Sequence, residues 1–165
     1  MDVRKAIEER RSVREFTSDN VPDKDVRSIL DAGRWAPSGL NNQPWKFKII
    51  RDDETKRQLA GCTHYGGIIK SAPVSIAVLL DNTTGYDRTK DLQAVGACIQ
   101  NMLLSAHSLG MGAVWLGEIL NKRKEAENIL GVRADCELMA VVAVGRPVKK
   151  KRASNRKSLE DLILY

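Results

Sequence analysis

The chain has 165 residues, of which 42% are hydrophobic and 29% are charged, which predicts a single globular domain over residues 1–165 with its own core. Its apolar runs are too short to cross a bilayer as a helix, which argues against a membrane-spanning protein. The charged N-terminal residues do not resemble a secretion signal, so we expect a cytoplasmic location.

The formal net charge of +6 comes from one short stretch of the sequence. Residues 146–157 contain seven lysines and arginines and no acidic residue, whereas the remaining basic and acidic side chains nearly balance. This distribution disfavours a uniformly basic nucleic-acid-binding domain. It leaves open a basic tail that binds an anionic partner, although nucleic acid is disfavoured because no aromatic residues alternate with the basic ones.

The first half of the chain is predicted to contain three helices and one strand. Pro37 stops the second helix, and the segment after it is dense in Pro, Ser, Gly and Asn, which is typical of a loop. The paired glycines of THYGGIIKS predict an irregular connection. The predicted elements are, in chain order, helices Asp2–Glu9 and Asp23–Trp35, a strand Lys46–Arg51 and a helix Asp53–Gly61.

The second half holds two continuous apolar runs, VSIAVLL and LMAVVAV, which are typical of buried strands. Between them lies the longest helix, which ends before Gly110, a residue suited to a C-terminal cap. The terminal segment Leu159–Tyr165 has too few large apolar side chains to form a core alone, so we expect it to dock on another surface. About four strands and five or six helices predict an α+β fold. The predicted elements are strand Val74–Leu80, helix Asp91–Leu109, strand Ala113–Leu116, helix Lys122–Leu130 and strand Leu138–Val144.

The stretch Arg10–Phe16, RRSVREF, places three guanidinium groups and one hydroxyl within five residues. Guanidinium groups can bind phosphate oxygens in pairs. In an extended segment Arg10, Ser12 and Arg14 would point to the same side, an arrangement that could clasp a phosphate. The alternative is a solvated basic helix end, where cations meet the negative pole of the helix. These residues alone favour that alternative.

Other reactive residue types are scattered. We interpret His107 as a helix-surface or packing residue and His64 as a somewhat better pocket candidate. Trp35 and Trp45 are expected to be anchors of the core or of a dimer. The three cysteines, Cys62, Cys98 and Cys136, form no CxxC pair, so a metal site or a disulfide framework is not expected. Cys98 and Cys136 are expected to be buried thiols.

Four stretches, in order along nearly the whole chain, together resemble the FMN-dependent nitroreductase family, and the chain is similar to a small, minimal member. The resemblance implies a central, mixed but mainly antiparallel sheet of about four to five strands flanked by helices. It also implies a homodimer with FMN in the subunit interface and a C-terminal segment that packs on the partner subunit. The four stretches are RRSVREF, APSGLNNQPWKF, DLQAVGACIQNMLLSAHSLGMGAVWLG and GRPVKKKRASNRKSLEDLI.

The resemblance also implies residue roles. Arg10, Ser12 and Arg14 would hold the FMN phosphate and ribityl chain, and Arg11 would contribute its backbone. Two residues from the far end of the chain would complete the phosphate site, namely Arg156 and Lys157.

Two further segments would contact the flavin ring. In the later of the two, residues 115–118, a backbone N–H would face the hydride-accepting nitrogen of the flavin. The segment that would line the flavin of the other subunit contains Pro37, Ser38, Gly39 and Asn41. The segment that would lie along the ring contains Trp115, Leu116, Gly117 and Glu118.

The implied activity is an oxidoreductase that takes hydride from NAD(P)H and reduces a flat acceptor such as a nitroaromatic or a quinone. The chemistry would occur on the flavin, with no catalytic side chain and no metal. No separate dinucleotide-binding fingerprint is visible, so donor and acceptor would use the same face in turn, a ping-pong cycle. The short 80–90 connection suggests an open site. The alternatives are a flavin-binding protein without general reductase activity and a nucleic-acid-binding protein that uses residues 146–157.

Overall fold

The two apolar runs form the central strands of an antiparallel sheet in the computed structural model, which describes residues 1–148 and 154–164. Strand β2 pairs with β4, and shorter strands flank them in the order β1-β2-β4-β3. The predicted α+β fold with a mainly antiparallel sheet is confirmed. The strands are β1 (Trp45–Ile50), β2 (Val74–Asp81), β3 (Gly112–Leu116) and β4 (Cys136–Gly145).

Six α-helices and three short 3₁₀-helices complete the described part of the chain. The helices are α1 (Val3–Glu9), α2 (Asp23–Arg34), α3 (Asp53–Ala60), α4 (Gly66–Ser71), α5 (Arg88–Ser108) and α6 (Arg123–Leu130). The 3₁₀-helices are Gly39–Asn41, Glu118–Lys122 and Glu160–Leu162. None of the helices in residues 1–148 and 154–164 combines the length and apolar character needed to cross a membrane.

Helices cover both faces of the sheet, which explains why β2 and β4 are apolar throughout. On one face α2 and α5 pack on alternate residues such as Ile76 and Val142. On the other face α3, α4 and α6 pack on the intervening ones, such as Ala77 and Val141. Because successive strand side chains point to opposite faces, each run must be apolar at every position.

Several predicted boundaries differ from the structure. The segment 63–71, predicted to be irregular, is irregular only as far as Tyr65, because α4 covers Gly66–Ser71. Helix α5 begins at Arg88, three residues before the predicted start, because the Asp87 side chain accepts a hydrogen bond from the backbone N–H of Lys90 and caps the helix. The predicted cap at Gly110 is confirmed by its left-handed φ of 74°.

The predicted burial of the cysteines and tryptophans holds in part. Cys98 is buried as predicted, whereas Cys136 is only partly buried because it begins β4 at the end of the sheet. Trp45 is a core residue with 6% of its surface exposed. Trp35, at the end of α2, keeps 73% of its surface exposed and is therefore not a core residue.

Candidate cofactor site

The arginine stretch lies against the edge of the sheet. Ser12 forms a parallel bridge with Ala113 of β3, and the backbone N–H of Val13 donates to the carbonyl of Ala113 at 3.0 Å. This contact needs glycine at the position before Ala113, because a Cβ on Gly112 would lie 2.6 Å from the Val13 side chain. The segment after α1 is therefore extended, and its position is set by tertiary contacts.

The two half-buried arginines of the stretch differ in their contacts. Arg11 turns back on α1, and its Nη1 donates to the carbonyls of Glu8 at 2.6 Å and Arg10 at 2.9 Å. Arg11 thus satisfies helix-end carbonyls, which is the alternative role considered from the sequence. Within residues 1–148 and 154–164, no side-chain hydrogen bond of Arg10 corresponds to those of Arg11, and the buried Nε atoms of both Arg10 and Arg11 have no partner.

Electrostatics links Arg10 to the other end of the chain. Burial lowers the pKa of the Arg10 guanidinium, and the positive charges of Arg156 and Arg11 lower it further. Arg156 is therefore close enough to repel Arg10, although the two lie far apart in sequence. Positive charges that converge with an unpartnered donor would be stabilised by a bound anion.

A cavity of about 490 Å³ opens beside this basic cluster. Its wall includes Arg10, Arg11 and Leu103, together with His107 near the end of α5. The buried Nε2 of His107 also has no hydrogen-bond partner among the described residues. His107 is a packing residue, as expected, but it lies closer to the arginine stretch than the sequence indicated.

The loop after α2 has an unusual backbone. Leu40, Asn41 and Gln43 have φ values of 53°, 55° and 48°, a left-handed conformation that is unfavourable for residues other than glycine. The Ser38 hydroxyl accepts a hydrogen bond from the backbone N–H of Gln43 at 2.9 Å and closes the loop. Such strain persists only where surrounding contacts impose it, and it is common at binding sites.

This loop and the arginine stretch face different ends of α5. Pro37, Ser38 and Gly39 line a cavity of about 310 Å³ with residues of the first half of α5, including Gln93. The arginine cavity instead involves Leu103 in the second half. At 1.5 Å per residue, Gln93 and Leu103 lie roughly 15 Å apart along the helix. Within one chain, these two predicted parts of the site are separated.

The third predicted segment follows the edge strand β3. Trp115 keeps 43% of its surface exposed, whereas Leu116 is buried, so only the backbone of Leu116 could face a cofactor. Gly117 precedes the 3₁₀-helix Glu118–Lys122, where the first backbone N–H groups have no acceptor within the helix. These groups are available to a polar ring edge.

The Glu118 side chain has a structural role. Its carboxylate accepts hydrogen bonds from the Thr63 hydroxyl, from the backbone N–H of His64 at 3.0 Å and from Asn121 at 3.2 Å. The Thr63 hydrogen bond is the main reason that the pKa of Glu118 is lowered. Glu118 thereby fixes the backbone of His64, whose side chain stays exposed with its Nε2 3.8 Å from the carboxylate and lines neither the cavity beside the arginine stretch nor the cavity beside the loop after α2.

The C-terminal part of the predicted site is exposed. Arg156 and Lys157 lie in an exposed segment without regular structure, and Arg156 Nη1 donates to the Asn155 carbonyl at 2.8 Å. The basic run Lys149–Arg152 lies outside the described residues. Arg156 nevertheless lies near enough for its charge to lower the pKa of Arg10, and its role in a phosphate site stays a prediction.

Sequence reasoning missed three residues that shape the loop. Asn42 and Asp91 are joined by a hydrogen bond of 2.7 Å, and the ring of Tyr86 covers Gly39. A tyrosine in a polar loop and an aspartate near a helix start carry no local signal for these contacts, because their partners lie over 40 residues away.

Comparison with known proteins agrees with this fold. The model of the nitroreductase family matches residues 7–64 and 60–146. A nitroreductase from Desulfovibrio desulfuricans, solved in complex with FMN, is 47% identical and superposes with a TM-score of 0.96, covering 100% of this chain and 96% of that one.

Two archaeal relatives are each named as an NADH dehydrogenase/NAD(P)H nitroreductase. The Archaeoglobus fulgidus protein is 33% identical over 150 residues, covering 89% of this chain and 86% of the relative. The Methanothermobacter thermautotrophicus protein is 39% identical over 117 residues, 71% of this chain but only 61% of the relative. On the family model, these relatives and the shared fold, the chain belongs to the nitroreductase family.

Proposed function

We propose that this chain is an FMN-dependent oxidoreductase that takes hydride from NADH or NADPH and reduces a flat acceptor such as a nitroaromatic or a quinone. The observation that carries the proposal is the cavity beside the arginine stretch, whose wall includes Arg10 and Arg11, together with the nearby positive charge of Arg156, which helps to lower the pKa of Arg10. The names of the archaeal relatives and the FMN bound to the Desulfovibrio nitroreductase support it.

The residues present fit the groups of FMN. The phosphate would accept hydrogen bonds from Arg10 and Arg156, with Ser12, Arg14 and Lys157 as further donors, because phosphate oxygens prefer charged donors. The unpartnered Nε of Arg10 is the structural sign of this fit. When bound, FMN would supply the redox chemistry by accepting a hydride and passing on two electrons, so the proposal needs no catalytic side chain.

The flavin ring would lie between two backbone segments. The N–H groups at the start of the 3₁₀-helix after Gly117 would donate to one edge of the ring. Pro37, Ser38, Gly39 and Asn41 would contact the flavin held by the other subunit. Donor and acceptor would use the same open face in turn, a ping-pong cycle.

We propose a homodimer with FMN in the interface. The separation of the arginine stretch from the Ser38–Gln43 loop along α5 supports a site shared between subunits. Large apolar side chains are exposed, among them Trp35 and Leu40, the latter with 85% of its surface exposed. The C-terminal side chains Leu159 and Leu162 are also exposed and are proposed to pack on the partner.

The test is spectroscopic. The full chain purified with added FMN should be yellow after gel filtration, and NADH or NADPH should bleach the flavin absorbance under anaerobic conditions. A quinone or a nitroaromatic should then restore it. A protein that retains no FMN would overturn the proposal.

The alternatives make different predictions in the same experiment. A flavin-binding protein without reductase activity would stay yellow when NADH or NADPH is added. A nucleic-acid-binding protein would retain no FMN, and the family membership does not favour it. The cytoplasmic location stays a prediction.

A further inference from the structure

One buried carboxylate joins two loops that are distant in sequence. Asp91 lies in the first turn of α5 with only 3% of its surface exposed. Its Oδ1 accepts a hydrogen bond from the side-chain amide of Asn42 at 2.7 Å. Its Oδ2 accepts from the backbone N–H groups of Tyr86 at 3.0 Å and Asp87 at 3.3 Å. Asp91 therefore ties the Ser38–Gln43 loop to the 82–87 turn.

A second contact joins the same two segments. The ring of Tyr86 lies so close to Gly39 that a Cβ there would fall 2.4 Å from the ring. Asn42 also donates to the carbonyl of Thr84 at 3.0 Å. The turn thus contacts the loop through a ring, a carbonyl and, by way of Asp91, a carboxylate.

Helix capping explains only part of the hydrogen bonding of Asp91, which accepts from the backbone N–H of the N-cap residue Asp87 but also from Asn42 and Tyr86, which lie outside the helix. The N-cap of α5 is already Asp87, whose side chain accepts from the backbone N–H of Lys90 at 3.0 Å. Within residues 1–148 and 154–164, Asp91 forms no ion pair, and the ammonium group of Lys90 lies over the Tyr86 ring, 5.1 Å from its centre. A buried carboxylate is costly unless hydrogen bonds satisfy it, and here those bonds come from the two loops.

The loop needs an external restraint. Three of its residues other than glycine adopt left-handed φ values, and such conformations persist only when neighbouring contacts impose them. Asn42 lies between two of these residues, so its side-chain hydrogen bonds act where the backbone is strained. Without them the loop would relax towards commoner conformations.

We propose that Asp91 is a positioning residue for FMN binding: acting through Asn42, it holds the Ser38–Gln43 loop in the shape that the cofactor site needs. This inference rests on the proposed function, because it takes the loop to contact FMN. The 82–87 turn acts as a strap across the loop. If the loop keeps its binding shape for only a fraction of the time, the apparent FMN affinity falls by that fraction.

The test is a double-mutant cycle on FMN affinity. Asp91→Asn places an amide opposite the Asn42 amide, or opposite the backbone N–H groups, whereas Asn42→Ala removes the link from the loop side. Losing a hydrogen bond to a charged group lowers the population of the loop's binding shape, so each variant should bind FMN more weakly, by up to roughly a hundredfold. The double variant should bind FMN about as tightly as whichever single variant binds it more weakly, because both changes break the same link.

Two further readouts separate positioning from stability. Thermal unfolding of the apoprotein reports stability, and visible circular dichroism of bound FMN reports how the ring is held. The matched control is Asp52→Ala, which removes the side-chain cap of α3, a hydrogen bond of 2.8 Å from the backbone N–H of Thr55, and lies outside both the loop and the 82–87 turn. It should lower the melting temperature and leave FMN affinity and the circular dichroism unchanged.

The outcomes are distinct. If the wild-type chain binds no FMN, the proposed function is overturned, and this inference with it. If the wild-type chain binds FMN and Asn42→Ala binds equally well, only this inference is overturned; this variant decides the matter should Asp91→Asn not fold. If the losses of FMN affinity in the two single variants multiply in the double variant, the positioning role of Asp91 is also overturned.

Discussion

Replacing Arg10 should weaken FMN binding without weakening the folded apoprotein. Burial and the nearby charges of Arg156 and Arg11 lower the pKa of Arg10, so its charged form is less favourable in the folded chain than in the unfolded one. Arginine is charged at every assay pH, so the folded apoprotein carries this cost at neutral pH. Bound phosphate would offset the cost, and Arg10→Ala removes both the cost and the compensation.

The expected loss follows from the contacts that Arg10 can offer. Its unpartnered Nε would make at least one charge-assisted hydrogen bond to phosphate, worth about 1.5–3 kcal/mol. Because about 1.4 kcal/mol corresponds to tenfold in affinity, the dissociation constant should rise roughly ten- to hundredfold. The melting temperature of the apoprotein should not fall.

The assay is a titration of apoprotein with FMN at fixed ionic strength, followed by flavin fluorescence, with thermal unfolding measured in parallel. Arg4→Ala is the matched control, because it removes an equal charge from α1 at an exposed position paired with Glu8 at 2.8 Å. The control should leave FMN affinity unchanged. An Arg10→Ala variant that binds FMN as the wild type does would refute the phosphate assignment.

The remaining predictions concern packing, pH and the shared site. Gly66→Ala should lower the free energy of unfolding by about 1–3 kcal/mol, because its Cβ would lie 2.2 Å from a carbonyl oxygen of α3, whereas Gly67→Ala meets no atom within 4 Å and should be neutral or stabilising. The hydrogen bond from Arg88 lowers the pKa of Glu137 from its ordinary value of 4.5. The ionised carboxylate therefore stabilises the fold above the unfolded-state pKa, and this contribution is lost as the pH falls through the folded-state pKa. In Glu137→Gln the free energy of unfolding should fall less steeply as the pH is lowered. Mixing an Arg10 variant with a variant of loop 38–41, each unable to bind FMN, should restore up to one FMN per heterodimer.

Each of these predictions has a contrary outcome. Equal urea denaturation curves for the two glycine variants would contradict the packing argument. An unchanged slope of stability against pH in Glu137→Gln would show that this carboxylate does not contribute to the pH dependence. In the mixing experiment, no recovery of FMN binding, with subunit exchange confirmed independently, would rule out a shared site.

The secondary structure was largely predictable because its signals are local. The two apolar runs became β2 and β4, and Gly110 ends α5 with a positive φ, as a C-terminal glycine should. The missed helix α4 has a tertiary cause, since glycine is a poor helix former and Gly66 is accepted because the chain there packs against Ala60.

The candidate site was predictable only where a motif resembles the family. The arginine stretch, the Ser38–Asn41 segment and the segment after β3 were identified in this way. The residues that shape the loop were not, because Asn42 and Asp91 are 49 positions apart and neither has a local pattern that marks it. Composition predicted a loop and could not indicate its left-handed residues.

The sequence by itself determined the helices and strands other than α4, the apolar character of the central strands and the location of the excess positive charge. These properties follow from side-chain periodicity and residue type over a few neighbouring positions. Only the tertiary structure decided that Ser12 pairs with Ala113 of β3 and that the 82–87 turn crosses the loop after α2. Such pairings depend on which surfaces pack together once loops have closed, and the free energy of that packing is shared across the whole fold.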